Sequence, residues 1–196
     1  MHLLQRIYRG VILPQEIDRR AITAALPAMR TVAGFLGYTT VDFGGGVFAT
    51  FTLYAGREQA ETVTAAVPGV IRSSLSDLIP RPPELRQGSV LSSHRTEGQA
   101  GVMVMRRYAG CDDAAELDRR IAQLLLPRFA VLPGFQGYSL VDEGGGYVTS
   151  LNLFGTAEDA EVLDGLAAPL VRRHLSDLLP LPPETMTGRV LSEIRA

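Results

Sequence analysis

The sequence is an internal duplication, in which residues 1–96 and 101–196 are similar to each other without a gap. When the chain is shifted by 100 positions, about 36 of the 96 aligned residues are identical. The motif Gly34-Phe35-x-Gly37-Tyr38, for example, returns at 134–138. Two copies of this length predict a pair of tandem domains rather than a solenoid of short repeats. We therefore predict domains at 1–96 and 101–196, with a short polar link near Thr96–Ala100.

Four strands are expected in each copy, and the second copy shows them most clearly. Apolar runs at 102–108, 135–141, 147–154 and 189–194 are short and are bounded by glycine or proline, as strands usually are. The triple glycine 144–146 predicts a hairpin turn between the second and third strands, because glycine adopts positive φ without strain.

Two helices are expected between these strands. Either Asp112 or Asp113 is expected to cap the first helix, and Glu116 follows Asp113 at the spacing of a capping box. Thr156 is expected to cap the second helix, with Asp159 three residues later. Apolar residues then recur at helical spacing in both segments. The resulting order β-α-β-β-α-β predicts an α+β fold built from two ferredoxin-like domains.

Prolines and acids next to turns lead to further local predictions. Pro127 and Pro133 are expected to close the first helix and its exit, while Pro169, like Pro68-Gly69 in the first copy, is expected to kink or split the second helix. Asp42 and its counterpart Asp142 precede the glycines, and carboxylates at such positions usually accept hydrogen bonds from turn amides.

The third strand has two different faces. We predict that Leu151 and Leu153 pack against the helices, and that the even-numbered side chains form the opposite face of the sheet. That even-numbered face mixes aromatic and small polar groups, so it is too apolar for water and too polar for a dry core. We therefore predict that the two sheets pack face to face within one chain, with a cavity between them.

Composition excludes several classes of function. A net charge of −2 without a basic stripe argues against nucleic-acid binding. No apolar run is long enough to cross a bilayer, and the N-terminus lacks the apolar core of a signal peptide, so we expect a cytoplasmic protein without membrane contact.

The single Cys111 and three scattered histidines predict no metal site. Paired arginines such as Arg106-Arg107 stand near acids and predict solvated faces or strand ends.

The chain resembles the antibiotic-biosynthesis-monooxygenase-like proteins of the dimeric α/β-barrel superfamily. The stretch 134–138 leading into a hairpin resembles the second strand of that family, and the tail 175–191 resembles a segment of its uncharacterised members. Such barrels usually form from two chains, whereas here the two halves are fused, which leaves a monomer or a homodimer open. The family includes cofactor-free oxygenases of aromatic polyketides, haem-degrading enzymes and quinol-acting proteins. Haem degraders of the family use a tryptophan, which this chain lacks.

Candidate ligand-contacting residues follow from the predicted cavity face. Tyr38 and Tyr138 are expected to reach an aromatic or quinone-like ligand, with a core tyrosine as the alternative. Asn152 is the better group for orienting a ligand, and His94 is a candidate base whose alternative is a structural or surface role. The complete set of candidate cavity-lining residues is Tyr8, Tyr38, Thr50, Thr52, His94, Tyr108, Tyr138, Ser150 and Asn152.

Three functions remain open on the sequence alone. The first is a cofactor-independent monooxygenase that acts on a small hydrophobic or aromatic molecule, and no cofactor is expected. The second is a non-catalytic binding or stress-related protein with the same fold, since no acid-base pair converges in the pattern. The third is a structural module with a filled interior. Fold alone does not rank these functions.

Overall fold

The computed structural model describes residues 1–196, except the side chains of Ala66, Val67, Pro68 and Arg72. Each copy has the order β-α-β-β-α-β. The elements of the first copy are β1 His2–Arg9, α1 Pro14–Arg30, β2 Phe35–Gly44, β3 Val47–Tyr54, α2 Arg57–Leu75 and β4 Glu84–Arg95.

The second copy repeats this order with one interruption in its first helical segment. Its elements are β5 Val102–Ala109, α3 Ala114–Arg120, a π-helical turn Ile121–Leu125, α4 Leu126–Phe129, β6 Phe135–Gly144, β7 Tyr147–Phe154, α5 Ala157–His174 and β8 Glu184–Arg195. Within the described residues, no helix is both long and apolar enough to cross a bilayer.

The strands are hydrogen-bonded in the order β1-β3-β2-β8-β5-β7-β6-β4, which is the strand order of a closed barrel. The chain divides into two compact units: unit 1 is Met1–Ser89 with Gly188–Ala196, and unit 2 is Val90–Thr187. These units do not coincide with the sequence copies 1–96 and 101–196. The reason is that β4 and β8 are long strands, and each contributes its first part to one unit and its second part to the other.

In each unit, the helices cover the even-numbered face of the strands. In unit 1, Tyr38 and Tyr54 pack with Met29 of α1 and Val63 of α2. In unit 2, the corresponding cluster includes Tyr138 and Phe154 together with the helical residues Leu117, Ile121, Leu125 and Leu163. The prediction that the odd-numbered residues of the third strand face the helices was therefore wrong.

The physical reason is that both faces of the strands are buried. Phe51 and Leu151, on the odd-numbered face, are only 3% and 6% exposed. Hydropathy consequently does not identify the helix-covered side. A bulge between Phe135 and Gly137 adds to the ambiguity, because it places Phe135 on the same face as Tyr138.

Local signals in the sequence were more reliable. Asp113 accepts a hydrogen bond from the Glu116 amide, and Thr156 and Asp159 form a capping box, as predicted. The carboxylate of Asp142 accepts from the Gly144 amide at 2.8 Å, and Gly145 and Gly146 form a hairpin turn with positive φ.

The proline predictions fared less well. Pro169 lies inside α5, which runs unbroken from Ala157 to His174, and Pro127 lies within α4 instead of closing the helix. The side chain of Pro68, for which the same kink was predicted, lies outside the described residues. In α1, Pro27 stands inside a regular helix. Proline alone therefore does not explain the π-helical turn that precedes Pro127.

Candidate functional site

A cavity of about 540 Å³ lies within unit 2, between its strands and its helices. Cavities of this size accommodate a small organic ligand. The helical wall is mainly apolar and includes Ile121 and Leu125 of the π-helical turn, with Asp164 and Arg172 of α5 as its charged residues. A π-turn adds a residue to one helical turn and is often found at functional sites. The floor of the cavity is formed by side chains of β5, β6 and β7.

Strand pairing places the polar groups of this floor in two neighbouring rows. Tyr138 on β6 lies directly opposite Asn152 on β7, which in turn lies opposite Val104 on β5. In the next row, Ser150 on β7 lies opposite Arg106 on β5. Residues opposite each other in antiparallel strands project from the same face, so these polar groups share one patch.

The Tyr138 hydroxyl is buried and has no hydrogen-bond partner within the described structure. Burial is the main cause that raises its pKa well above the usual value, with a smaller contribution from Asp118. The group is therefore a neutral phenol at physiological pH. An unpaired buried hydroxyl is uncommon because losing its hydration without a new partner is unfavourable.

Asn152 is held only weakly by its neighbours. Its amide nitrogen donates to the Val104 carbonyl at 3.5 Å and to the Ser150 hydroxyl at 3.4 Å, both at the limit for a hydrogen bond. A ligand oxygen placed between Asn152 and Tyr138 would give both donors a shorter acceptor.

One edge of the cavity is charged. Arg106 forms an ion pair with Asp164 of α5, and the Asp164 side chain is half exposed. Tyr108, on the same strand as Arg106, also lines the cavity, and burial raises its pKa. Asp164 is the single carboxylate among the described lining residues.

The equivalent region of unit 1 is almost filled. Its cavity measures about 10 Å³ and is lined by Arg6, Tyr8, Tyr38 and Thr50, among others. Phe48 also borders it, where unit 2 has the smaller Val148. Among the described side chains, the two copies therefore leave very different amounts of space between helices and sheet.

Solved structures with the same architecture cover nearly the whole chain. An anthrone oxidase-like protein aligns over 98% of this chain and 92% of its own, with a TM-score of 0.68 at 11% identity. A Fusobacterium nucleatum protein that carries the provisional name of monooxygenase aligns over 99% and 94%, with a TM-score of 0.70 at 10% identity. A Listeria monocytogenes protein titled as a ferredoxin-fold relative of antibiotic biosynthesis monooxygenases aligns over 95% and 93%, with a TM-score of 0.58 at 10% identity.

The chain has the antibiotic-biosynthesis-monooxygenase-like fold. At this level of identity, the likeness is one of fold alone. Neither the family models nor the curated proteins give a match to the sequence.

In this monooxygenase-like fold, four of the predicted residues come together. Tyr108, Tyr138, Ser150 and Asn152 all line the cavity of unit 2. They do so from the helix-covered face, whereas we had expected them on the face that meets a second sheet.

The remaining predicted residues lie elsewhere. Tyr8, Tyr38 and Thr50 line the small cavity of unit 1, and Thr52 is fully buried opposite Tyr38. His94 lies on β4, where its ring stacks on Phe135 with centroids 6.0 Å apart. It is not among the described residues that line the unit 2 cavity.

Sequence reasoning missed Arg106 and Asp164. Arg106 was expected to be solvated, but its side chain is only 15% exposed. A signal was present, because arginine occurs at positions 6 and 106, two residues before a tyrosine in both copies. A charged residue that occurs in both copies, at a strand position whose side chain faces the interior, indicates a buried role. This signal outweighs the presence of a second charge beside it in the sequence, which had indicated a solvated position.

Proposed function

We propose that the unit 2 cavity binds a small aromatic or quinone-like molecule and oxidises it with dioxygen, without a cofactor. The observation that carries this proposal is the unpartnered Tyr138 hydroxyl, aligned with the weakly held Asn152 amide in a largely apolar cavity of about 540 Å³. Such a cavity suits a flat apolar molecule that carries one hydrogen-bond acceptor.

The chemistry requires an electron-rich substrate that has lost a proton. Its carbanion or phenolate can reduce dioxygen directly, provided that the site excludes water. With a methylene substrate such as anthrone, one oxygen atom becomes the new carbonyl oxygen. The other leaves as water with the two methylene hydrogens, and the carbon loses four electrons.

Each polar residue of the cavity has a proposed role in this scheme. Tyr138 and Asn152 donate hydrogen bonds to the substrate oxygen and stabilise its negative charge in the deprotonated state. Arg106 adds a positive charge at one edge of the cavity, which further favours the anion. Asp164, the carboxylate paired with Arg106, is the proposed proton acceptor.

The proteins with similar structures suggest a first substrate. One of them is anthrone oxidase-like, so anthrone and a panel of reduced naphthoquinols are the probes of choice. Oxygen uptake and anthraquinone formation should exceed those of a protein-free control. Tyr138→Phe and Asn152→Leu should lower the rate at least about tenfold, the loss expected for one donor to a developing oxyanion. Tyr38→Phe, the matched change in unit 1, should leave the rate unchanged.

Binding without turnover is a second candidate, and the Arg106–Asp164 ion pair favours it. The Asp164 carboxylate is already engaged by Arg106, and no other carboxylate lines the cavity among the described residues to accept a proton from a substrate. Anthraquinone should then raise the unfolding temperature of the wild type but not of Tyr138→Phe, with no oxygen uptake from anthrone. Oxygen uptake that is equal in the wild type and Tyr138→Phe would overturn the catalytic proposal.

A further inference from the structure

Arg6, on β1 of unit 1, is a buried cation whose terminal guanidinium nitrogens have no hydrogen-bond partner among the described residues. The residue is 4% exposed. Arginine stays protonated under physiological conditions, so this charge is present in the folded protein. Buried charges are normally paired, because the loss of hydration is highly unfavourable.

Comparison with unit 2 shows which group is missing. The equivalent Arg106 forms an ion pair with Asp164. In unit 1, the position of Asp164 is taken by Thr64, whose hydroxyl donates to the Ala60 carbonyl at 2.8 Å. The copy without the carboxylate therefore also has an arginine, and that arginine is buried more deeply.

Neighbouring residues do not supply the countercharge. Asp18 of α1 accepts hydrogen bonds from the hydroxyls of Thr40 and Ser192, and it makes no ion pair with Arg6 in the described structure. Burial raises the pKa of Tyr8 to about 12, and it also raises that of Tyr38, so both phenols are neutral.

The space beside Arg6 is lined by hydrogen-bond donors. Tyr8, Tyr38 and Thr50 border the same cavity of about 10 Å³, and the Thr50 hydroxyl has no partner in the described structure. The remaining walls are apolar side chains such as Ile17 and Phe48. A cavity of this size holds one particle about as large as a water molecule. Water would not neutralise the guanidinium, whereas an anion would.

We infer that unit 1 binds a small monovalent anion of about chloride size beside Arg6, Tyr8, Tyr38 and Thr50. The anion is the counter-ion of the buried guanidinium and accepts hydrogen bonds from the surrounding hydroxyls. This site is separate from the cavity of unit 2 and does not depend on the function proposed there.

Thermal unfolding at constant ionic strength tests the site. When sodium chloride or bromide replaces sodium gluconate, the unfolding temperature of the wild type should rise and then saturate, because these single-atom anions fit and gluconate does not. Arg6→Met should abolish this anion-dependent rise. The matched variant Arg106→Met should keep it. An unfolding temperature that responds equally to chloride and gluconate would overturn the inference.

Crystals of the wild-type protein grown in bromide test the anion site without the need for a variant that folds. An anomalous bromide peak within hydrogen-bond distance of the Arg6 guanidinium supports the site. The absence of a peak there, with the guanidinium ordered, refutes it.

Discussion

The ring of Tyr8 packs against the ring of Phe48, with centroids 6.0 Å apart and planes tilted by 44°. In unit 2, the equivalent pair is Tyr108 and Val148, and the aliphatic side chain cannot fill the same space. Tyr8 and Phe48 both line the cavity of about 10 Å³, whereas Tyr108 lines the cavity of about 540 Å³ and Val148 does not. The tyrosine therefore faces far more space in unit 2 than in unit 1.

Leu175→Phe should close part of the unit 2 cavity. Leu175 lines that cavity, so the larger ring would enter empty space, and we expect the free energy of unfolding to stay equal or rise by about 1 kcal/mol. Binding of anthraquinone, measured as a shift in unfolding temperature, should fall. Leu75→Phe is the matched control in unit 1, where the cavity measures about 10 Å³, and overpacking there should destabilise the protein by about 2 kcal/mol. Unchanged ligand binding by Leu175→Phe would place the ligand outside this cavity.

Tyr138→Phe should lower the affinity for the ligand without lowering the free energy of unfolding. The variant removes a buried hydroxyl that has no partner, so we expect the free energy of unfolding to stay equal or rise by about 1 kcal/mol. Ligand affinity should fall because the donor is gone. Urea unfolding and ligand titration on the same sample measure the two effects. A marked loss of stability would mean that the hydroxyl has a structural partner, such as a buried water molecule.

Two glutamates should make the protein less stable in acid. Hydrogen bonds from Arg19 and Arg20 lower the pKa of Glu16 from 4.5 to about 2, and those from Arg119 and Arg120 do the same for Glu116. Because the folded state has the lower pKa, the stabilisation is complete above pH 4.5 and is lost as the pH falls towards 2. Both pairs are exposed, so the effect should be small and should weaken with added salt.

The glutamate pKa values are measurable by NMR titration of the side-chain carboxyl carbons. Glu16→Gln and Glu116→Gln should each flatten the loss of stability between pH 4.5 and 2. Titration of both glutamates near their ordinary value would contradict the expected depression.

The capping box of α5 should contribute measurably to stability. The Asp159 amide donates to the Thr156 hydroxyl at 3.2 Å, and the Thr156 amide donates to the Asp159 carboxylate at 2.9 Å. Thr156→Ala should therefore cost about 1 kcal/mol in the free energy of unfolding. The equivalent cap of α2 is Gly56, which makes no side-chain hydrogen bond, so Gly56→Ala should have a smaller effect. Equal losses in the two variants would show that the box contributes nothing.

How well the sequence predicted the structure depended on the range of the interactions involved. The caps at Asp113 and Thr156 and the glycine turns were predicted because they depend on residues three or fewer positions apart. The sheet face was assigned wrongly because that choice depends on packing between distant segments, and both faces of β3 and β7 are buried. Hydropathy carries no information about which buried face meets a helix.

The candidate site was predicted only in part, again because short-range patterns are visible in the sequence and long-range contacts are not. Tyr138 and Asn152 stood out because they are polar residues at regular strand positions, and strand pairing alone makes them neighbours. The cavity is lined by side chains from seven elements, so its volume depends on the combined sizes of side chains far apart in the sequence. The pairing of Arg106 with Asp164 joins residues that are 58 positions apart. No local pattern in the sequence contains that contact.

The division of β8 has a consequence for the order of folding during synthesis. Unit 2 is one continuous segment, Val90–Thr187, so all its residues have been made when Thr187 is added. Unit 1 was begun first but requires Gly188–Ala196, whose residues pair with β2. On the ribosome, the edge of β2 that pairs with β8 therefore stays open to wrong partners until Gly188–Ala196 has been made.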